Sequence, residues 1–413
     1  MTGDSSRLAI HGGLPLAPSP IRFQWPVMTD RIASAVATQL REATSLYDRS
    51  GIVGRFEDAF AGYSSQTRTL AVCSGTAALH SLYYGSRLGA GDEVICSDYG
   101  FFATITPLLH LGVRLVLVDS TANGTIDVAQ IESACTVRTK AVVATHMWGQ
   151  PADVVTLRRI CDDRGLLLFE DCSHAYDSRI GERVVGSFGD GAAWSMQAKK
   201  TLCAGEGGVL ATNNEDIFER ALLLGHFNQR ALRDIRPDSG NARYAFTGTG
   251  LKYRAHPLAL AMALAQLDDL AALVDGRQEP ADMICAALNE LPGVRLLSRS
   301  TGSTRHSYYS LVALFDPAEC GYAREQFVAA LRAENIRIAD VPLQMRSMHH
   351  YPLVQDAGFG QNGYGFSNSL RITGQALKFF IPSVVSEDSV LEKTAICAEA
   401  IRKVGRGLAA GRA

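Results

Sequence analysis

GDGAAWSMQAKKTLCAGEGG, residues 189–208, is the stretch from which the rest of the chain can be read. Residues 192–196 are an apolar run of buried-strand length, and 209–212 form a second. Between them stand two adjacent lysines, Lys199 and Lys200, followed by the turn Gly205-Glu206-Gly207-Gly208. A lysine pair in isolation reads as solvated surface, because charged side chains are rarely buried without a partner. The setting here favours chemistry. Ser195 precedes the pair, a glycine turn follows it, and an acidic strand end, Phe169-Glu170-Asp171, lies upstream. A lysine on a loop between two buried strands can form a Schiff base with an aldehyde cofactor. A carboxylate can keep that cofactor's ring nitrogen protonated. Spacing alone does not choose between the two lysines.

Working outward, short apolar runs alternate with helical stretches. Strands are expected at 70–73, 93–96, 114–118, 141–145 and 166–169, with helices at 76–88, 101–111, 127–135 and 153–164. Such alternation implies βαβ units and a mostly parallel sheet covered on both faces, with ligands beyond the carboxyl ends of the strands. Earlier helices are expected at 30–45, with Asp30 as N-cap, and at 50–63. A helix at 215–224 leads to a long loop, 225–250, of a length that marks function or disorder. A helix at 256–274 ends at Asp275-Gly276. The remainder mixes helices at 278–291, 323–334 and 386–404 with short strands such as 307–315. The division expected is an N-terminal arm, 1–25, that packs on a partner subunit or is disordered; a large α/β domain, 26–274; and a smaller α+β domain, 275–413.

Composition excludes several classes. The 413 residues are 47% hydrophobic and 20% charged with net charge −2, and the pI is about 6.6. That balance argues against nucleic acid as a partner. No apolar run is long enough to span a bilayer, and MTGDSSRLAI lacks the features of a secretory signal, so a cytoplasmic protein is expected. The nine cysteines show no CxxC spacing, which indicates neither a disulfide framework nor a zinc site. His349 and His350 are adjacent, point apart on any regular element, and do not suggest a shared metal.

Other segments carry candidate chemistry. CSGTAALH, 73–80, brings small hydroxyl residues to a helix N-terminus, which suits a phosphate and equally suits an ordinary N-cap. SDYGFFATITP, 97–107, ends the second strand with aromatic residues, and THMWGQPAD, 145–153, follows the fourth strand. FEDCSHAYDSRIGERVVGSFGD, 169–190, puts Asp171 at a buried strand end, where an unpaired carboxylate is costly. GLKYRAHPLALAMALAQL, 250–267, opens a long helix.

Taken together these segments resemble the DegT/StrS family of pyridoxal-phosphate-dependent aminotransferases of sugars and cyclitols, from about residue 50 to about residue 404. SMQAKKTLCAGEGG is similar to that family's SFQxxKxLTxGEGG, and the resemblance selects Lys200 as the Schiff-base lysine, Lys199 falling on a variable position. It implies that Gly75, Thr76 and Ser195 bind the cofactor phosphate and that Phe101 covers the ring. It implies also that Asp171 pairs with the ring nitrogen and that His174 touches the ring oxygen. Gly100 stands where the family has threonine, and Asp177 where glycine is common. His146 and Trp148 belong to a segment similar to HLYGQPAD and are candidates for the active-site wall. The segment 250–254 resembles one that reaches into a neighbouring subunit, with Lys252 replacing the asparagine that contacts the neighbour's phosphate.

The implied protein is a fold type I transferase binding pyridoxal 5'-phosphate. It is expected to act as a homodimer with shared active sites, moving an amino group from glutamate or glutamine to a keto-sugar or cyclitol ketone in secondary-metabolite or polysaccharide biosynthesis. A cofactor-dependent sugar dehydratase and a non-catalytic sensor on the same fold are the alternatives. Relatives that dehydrate characteristically replace the lysine with histidine, and Lys200 is intact.

Overall fold

The computed structural model describes residues 7–361, 363 and 365–411. Its main feature is an eight-stranded sheet. The spatial order is Arg68–Val72, Gly208–Thr212, Gly191–Ser195, Leu167–Asp171, Thr139–Thr145, Glu93–Ser97, Arg114–Val118 and Phe359–Gln361. Neighbours pair in parallel except at Gly208–Thr212, which is antiparallel to both flanking strands. From Glu93–Ser97 the chain steps outward to Arg114–Val118, returns to Thr139–Thr145, and then builds the sheet in the other direction. That reversal opens a crevice at the carboxyl ends of the strands.

These runs are strands buried on both faces, so they are apolar throughout and not alternating. Val94, Leu115, Val143 and Phe169 face a core built with the helices Gly75–Gly85 and Glu215–Gly225. Ile95, Val116, Val142 and Leu168 face the opposite core, built with Val154–Arg164. Most expected elements of this region stand within a residue or two of their expected ends. Ser74, Asp153 and Asn214 cap the helices that follow them. The first helix, Asp30–Glu42, is capped by Thr29 and not by Asp30: the Thr29 hydroxyl accepts the Ile32 N–H at 3.3 Å.

Several expectations are corrected. Residues 1–6 of the N-terminal arm lie outside the described residues. From Leu8 onward the arm packs on its own chain: Leu8 and Ala17 sit in the core around Ala281, Leu331 and Ile401. The Glu334 carboxylate accepts the N–H groups of Ala9 and Leu16. The 225–250 segment carries a short helix, Gln229–Asp234. It is pinned because Arg230, 1% exposed, pairs with the fully buried Glu57 at 2.9 Å. The pair is part of a network, since Glu57 is also engaged by Arg49 at 3.0 Å and Arg230 by Asp234. The 256–274 helix is two helices, Pro257–Leu267 and Leu270–Asp275. The expected strand at 307–315 starts only at Leu311, and the residues before it serve the site.

A second sheet orders Val294–Leu296, Leu311–Phe315, Ala376–Phe379 and Ala339–Asp340. It packs with the helices Gln278–Asn289, Arg324–Ala333 and Val390–Ala410. The C-terminal part of the chain also returns to the first sheet. Phe359–Gln361 forms its edge, and Met345–Ser347 pairs with Tyr99–Phe101. Among the described residues no single helix is long and apolar enough to cross a membrane.

Candidate active site

A cavity of about 280 Å³ opens at the carboxyl ends of the strands, beside the reversal in strand order. Gly75, Thr76, Phe101, Asp171, His174, Ser195 and Lys200 all line it, from four separate segments of the sequence. Lys252 does not line it. It is exposed, on a segment that runs past the end of the first strand, where the Cys73 N–H donates to the Tyr253 carbonyl at 2.7 Å.

One end of the cavity is a helix N-terminus. Ser74 caps Gly75–Gly85 by accepting the Ala77 N–H at 3.0 Å. The N–H groups of Gly75 and Thr76, at the first two helical positions, have no intrahelical partner and face an incoming anion favourably. The glycines make this approach possible. A Cβ on Gly75 would come within 2.6 Å of the Ser195 Cβ, and one on Gly208 within 2.2 Å of the Ser74 carbonyl oxygen. Ser195 is thus held against the helix start, its own carbonyl accepting the Tyr176 hydroxyl at 3.0 Å.

Asp171 ends its strand 5% exposed. One carboxylate oxygen accepts the Thr104 hydroxyl at 2.7 Å and the other the Ser173 N–H at 3.1 Å. Among the described residues no arginine, lysine or histidine forms an ion pair with it, so its charge is uncompensated at contact distance. The preceding residue is committed differently. Glu170 accepts the N–H groups of Gly186, Phe188 and Gly189 at 2.7–2.8 Å and the His146 ring at 3.1 Å. Against burial, which would raise it, His146 and these amides hold the Glu170 carboxyl below its ordinary range.

Lys200 follows a tight loop in which its N–H donates to the Gln197 carbonyl at 2.8 Å. Burial pushes its amine down to about 8; Asp171 opposes that shift and Lys199 adds to it. Its Nζ lies 4.7 Å from the centroid of the Tyr309 ring. Burial also holds His174 well below the ordinary imidazole range, with further lowering from Lys200 and Lys378. His174 Nδ1 accepts the Trp148 N–H at 3.4 Å, a network that assigns the ring proton to Nε2.

His146 and Trp148 are not cavity wall. His146 is fully buried against Glu170, and Trp148 is buried behind His174; the wall residues of that segment are Thr145 and Met147. Asp177 takes a left-handed turn, φ 55°, and pairs with Arg179 and Arg305, so its departure from glycine affects a turn and not the cavity. His349 pairs with Asp98 at 2.8 Å, and the Ser347 hydroxyl donates to Asp98 at 2.6 Å. That staple holds the strand which pairs with Phe101.

Sequence reasoning missed Tyr309 and the role of Thr104 as a partner of Asp171. Tyr309 comes from the loop before Leu311, where Tyr308 is in a left-handed conformation, φ 48°. The pair Tyr308-Tyr309 was the available signal, but aromatic residues beside an apolar run read as strand.

Comparison with known proteins gives a consistent result. The profile of the DegT/DnrJ/EryC1/StrS aminotransferase family matches residues 29–392. A spore coat polysaccharide biosynthesis protein, SpsC, of Bacillus subtilis is 30% identical over 358 residues, covering 86% of this chain and 90% of that protein. The L-glutamine:scyllo-inosose aminotransferase of Streptomyces griseus is 32% identical over 340 residues, 80% of this chain and 79% of its own. Among solved structures, DesI in the presence of its TDP-sugar product superposes with a TM-score of 0.81 over 99% of this chain and 100% of that one. At 24% identity that likeness speaks to the fold.

Proposed function

The chain belongs to the DegT/DnrJ/EryC1/StrS aminotransferase family, and on that premise we propose that it moves an amino group from glutamine or glutamate to the ketone of a sugar or cyclitol. The cofactor is pyridoxal 5'-phosphate. The observation that carries this reading is one cavity holding a half-buried lysine, a buried carboxylate without an ion-pair partner among the described residues, and a helix N-terminus.

The residues present fit that cofactor. Gly75 and Thr76 N–H groups with the Ser195 hydroxyl would hold its phosphate. Asp171 would supply the counter-charge for a protonated ring nitrogen, and the Nε2–H of His174 is the donor for its ring oxygen. Phe101 would cover the ring. Lys200 Nζ would carry its aldehyde carbon. When bound, the cofactor supplies an electron sink for the carbon that loses its proton. The protein's part is to hold the ring fixed and to move the proton. Lys200 Nζ would be the base that takes the proton from the donor's α-carbon and holds it for return. An amine lowered to about 8 has a free-base fraction near neutral pH that an ordinary lysine lacks.

Support for the acceptor class comes from the relatives, one named for scyllo-inosose and one for a polysaccharide. Lys252, exposed and outside its own chain's cavity, is assigned to the phosphate end of a partner's cavity in a homodimer. In this reading the chain divides at about residue 274, and its C-terminal part lends strands to the first sheet and to the strand at Phe101. The experiment is a half-reaction. Glutamine or glutamate alone should bleach the visible absorbance of the lysine-bound cofactor, and a keto-sugar or keto-cyclitol should restore it. A protein that binds the cofactor but exchanges with no amino donor is a sensor. One that releases water from a sugar without amino transfer is a dehydratase.

A further inference from the structure

A second cavity, of about 490 Å³, adjoins the first and shares Lys199 and Tyr309 with it. Its lining is cationic. Arg22, Lys199, Arg277, Arg337 and Lys378 face one carboxylate, Asp340. Asp340 is itself engaged by Arg332 at 3.4 Å, and among the described residues none of the five lining cations forms an ion pair.

Exposed cations need no counter-charge, but Arg277 is 2% exposed. Its Nη1 donates to the Thr201 hydroxyl at 3.1 Å and to the carbonyls of Ser307 and Tyr308 at 3.0 and 3.2 Å. Its guanidinium carbon lies 4.8 Å from the Trp25 ring centroid. Its Nε is buried without a partner among the described residues. These neighbours are neutral. A buried guanidinium with no carboxylate against it is an expensive arrangement unless an anion arrives from outside. Burial pushes Arg277 down to about 10, the mark of a charge lacking its partner. Lys378 is also lowered, by burial first and then by Lys199, with Asp340 opposing. The Lys378 charge also contributes to the lowering of His174 in the first cavity.

We propose that the second cavity is an anion subsite of the active site, in which Arg277, Arg337, Lys378 and Lys199 receive an oxyanion carried by a substrate while its reacting carbon lies beside Lys200. The proposal rests on the aminotransferase reading above. The shared chemistry is a carboxylate or phosphate group. Its two sources are the carboxylates of the amino donor and the diphosphate of a nucleotide-linked acceptor.

The test uses the cofactor-loaded enzyme and the double variant Lys378→Gln/Arg337→Gln. These side chains reach solvent, whereas loss of Arg277 risks misfolding. Lys378→Arg serves as the charge-preserving control. One arm titrates glutamine and glutamate and follows cofactor bleaching. The other measures binding of inorganic pyrophosphate and of UDP by calorimetry. The double variant is expected to keep the visible cofactor absorbance while weakening at least one arm about tenfold or more, the effect of lost charge-assisted hydrogen bonds; Lys378→Arg should stay near wild type. A shift in the first arm identifies the donor carboxylate, and a shift in the second identifies a phosphate. Unchanged titrations in both arms overturn the subsite, even where the wild type bleaches normally and the activity reading stands. If no amino donor bleaches the wild type, the activity reading falls, and the pyrophosphate arm still decides the subsite.

Discussion

Tyr309 lies flat against His174, with ring centroids 4.0 Å apart and planes 9° apart. The Lys200 amine sits 4.7 Å from the same tyrosine's centroid. A loop leading into the second sheet therefore joins the lysine and the histidine of the first. Tyr309→Phe keeps both ring contacts and should leave turnover within about threefold of wild type, whereas Tyr309→Ala should lower it about ten- to hundredfold, the scale of lost stacking plus lost orientation. Steady-state rates of the two variants on one acceptor check this. Equal damage in both would mean that the hydroxyl matters and the stack does not.

Lys200 titrates near 8 in the folded cofactor-free protein against an ordinary 10.5. Capture of the aldehyde needs the free amine, so its rate should rise with pH and level off above about 8. The sign for stability follows. In the window between the two values the unfolded chain binds the proton and the folded one does not, so stability rises with pH there; the full penalty is present below about 8. Lys200→Met removes that penalty, and the cofactor-free variant should melt higher than cofactor-free wild type at pH 7, by a few kcal/mol at most. Borohydride should fix the cofactor to Lys200 in the wild type. A peptide map with the label on Lys199 would end the assignment.

Asp171 is buried, takes the Thr104 hydroxyl at 2.7 Å, and has no ion-pair partner among the described residues. Replacing it with asparagine preserves shape and removes the charge that keeps a ring nitrogen protonated. Turnover should fall by about a thousandfold or more, since the electron sink depends on that proton. Thr104→Val leaves the charge and removes one hydrogen bond, so it should cost only about tenfold. Absorbance spectra of the loaded variants and their half-reaction rates separate the two. A fully active Asp171→Asn protein would remove the carboxylate from the mechanism.

Much of this site was legible because it sits where chain order and chemistry coincide. Gly75, Asp171 and Ser195 stand at strand ends in a parallel sheet, and each strand announces itself by an apolar run. Lys200 is legible by its glycine turn, though only resemblance separated it from Lys199. The illegible parts depend on contacts distant in sequence. His146 looks exposed to the site from its position after a strand, and only the fold shows Glu170 beneath it. Tyr309 required knowing that residue 308 turns left-handed. Nothing in the arm's own residues announces its packing on the same chain, because its partners, Glu334 among them, lie more than three hundred residues away.

Lys252 is exposed on its own chain and absent from the lining of its own cavity. If it serves a partner's phosphate end, the two defects Lys200→Ala and Lys252→Ala complement when protomers are mixed. A mixed dimer then has one cavity with both defects and one with neither. Random reassortment makes half the dimers mixed, so about a quarter of wild-type activity should return, as two-fold symmetry dictates. Each variant alone should be impaired, Lys252→Ala by about tenfold in cofactor affinity, the loss of one charged contact to a phosphate. Sedimentation of the wild type tests the dimer separately. Mixtures no more active than the sum of their parents, from a protein that sediments as a dimer and reassorts, would return Lys252 to the solvated surface.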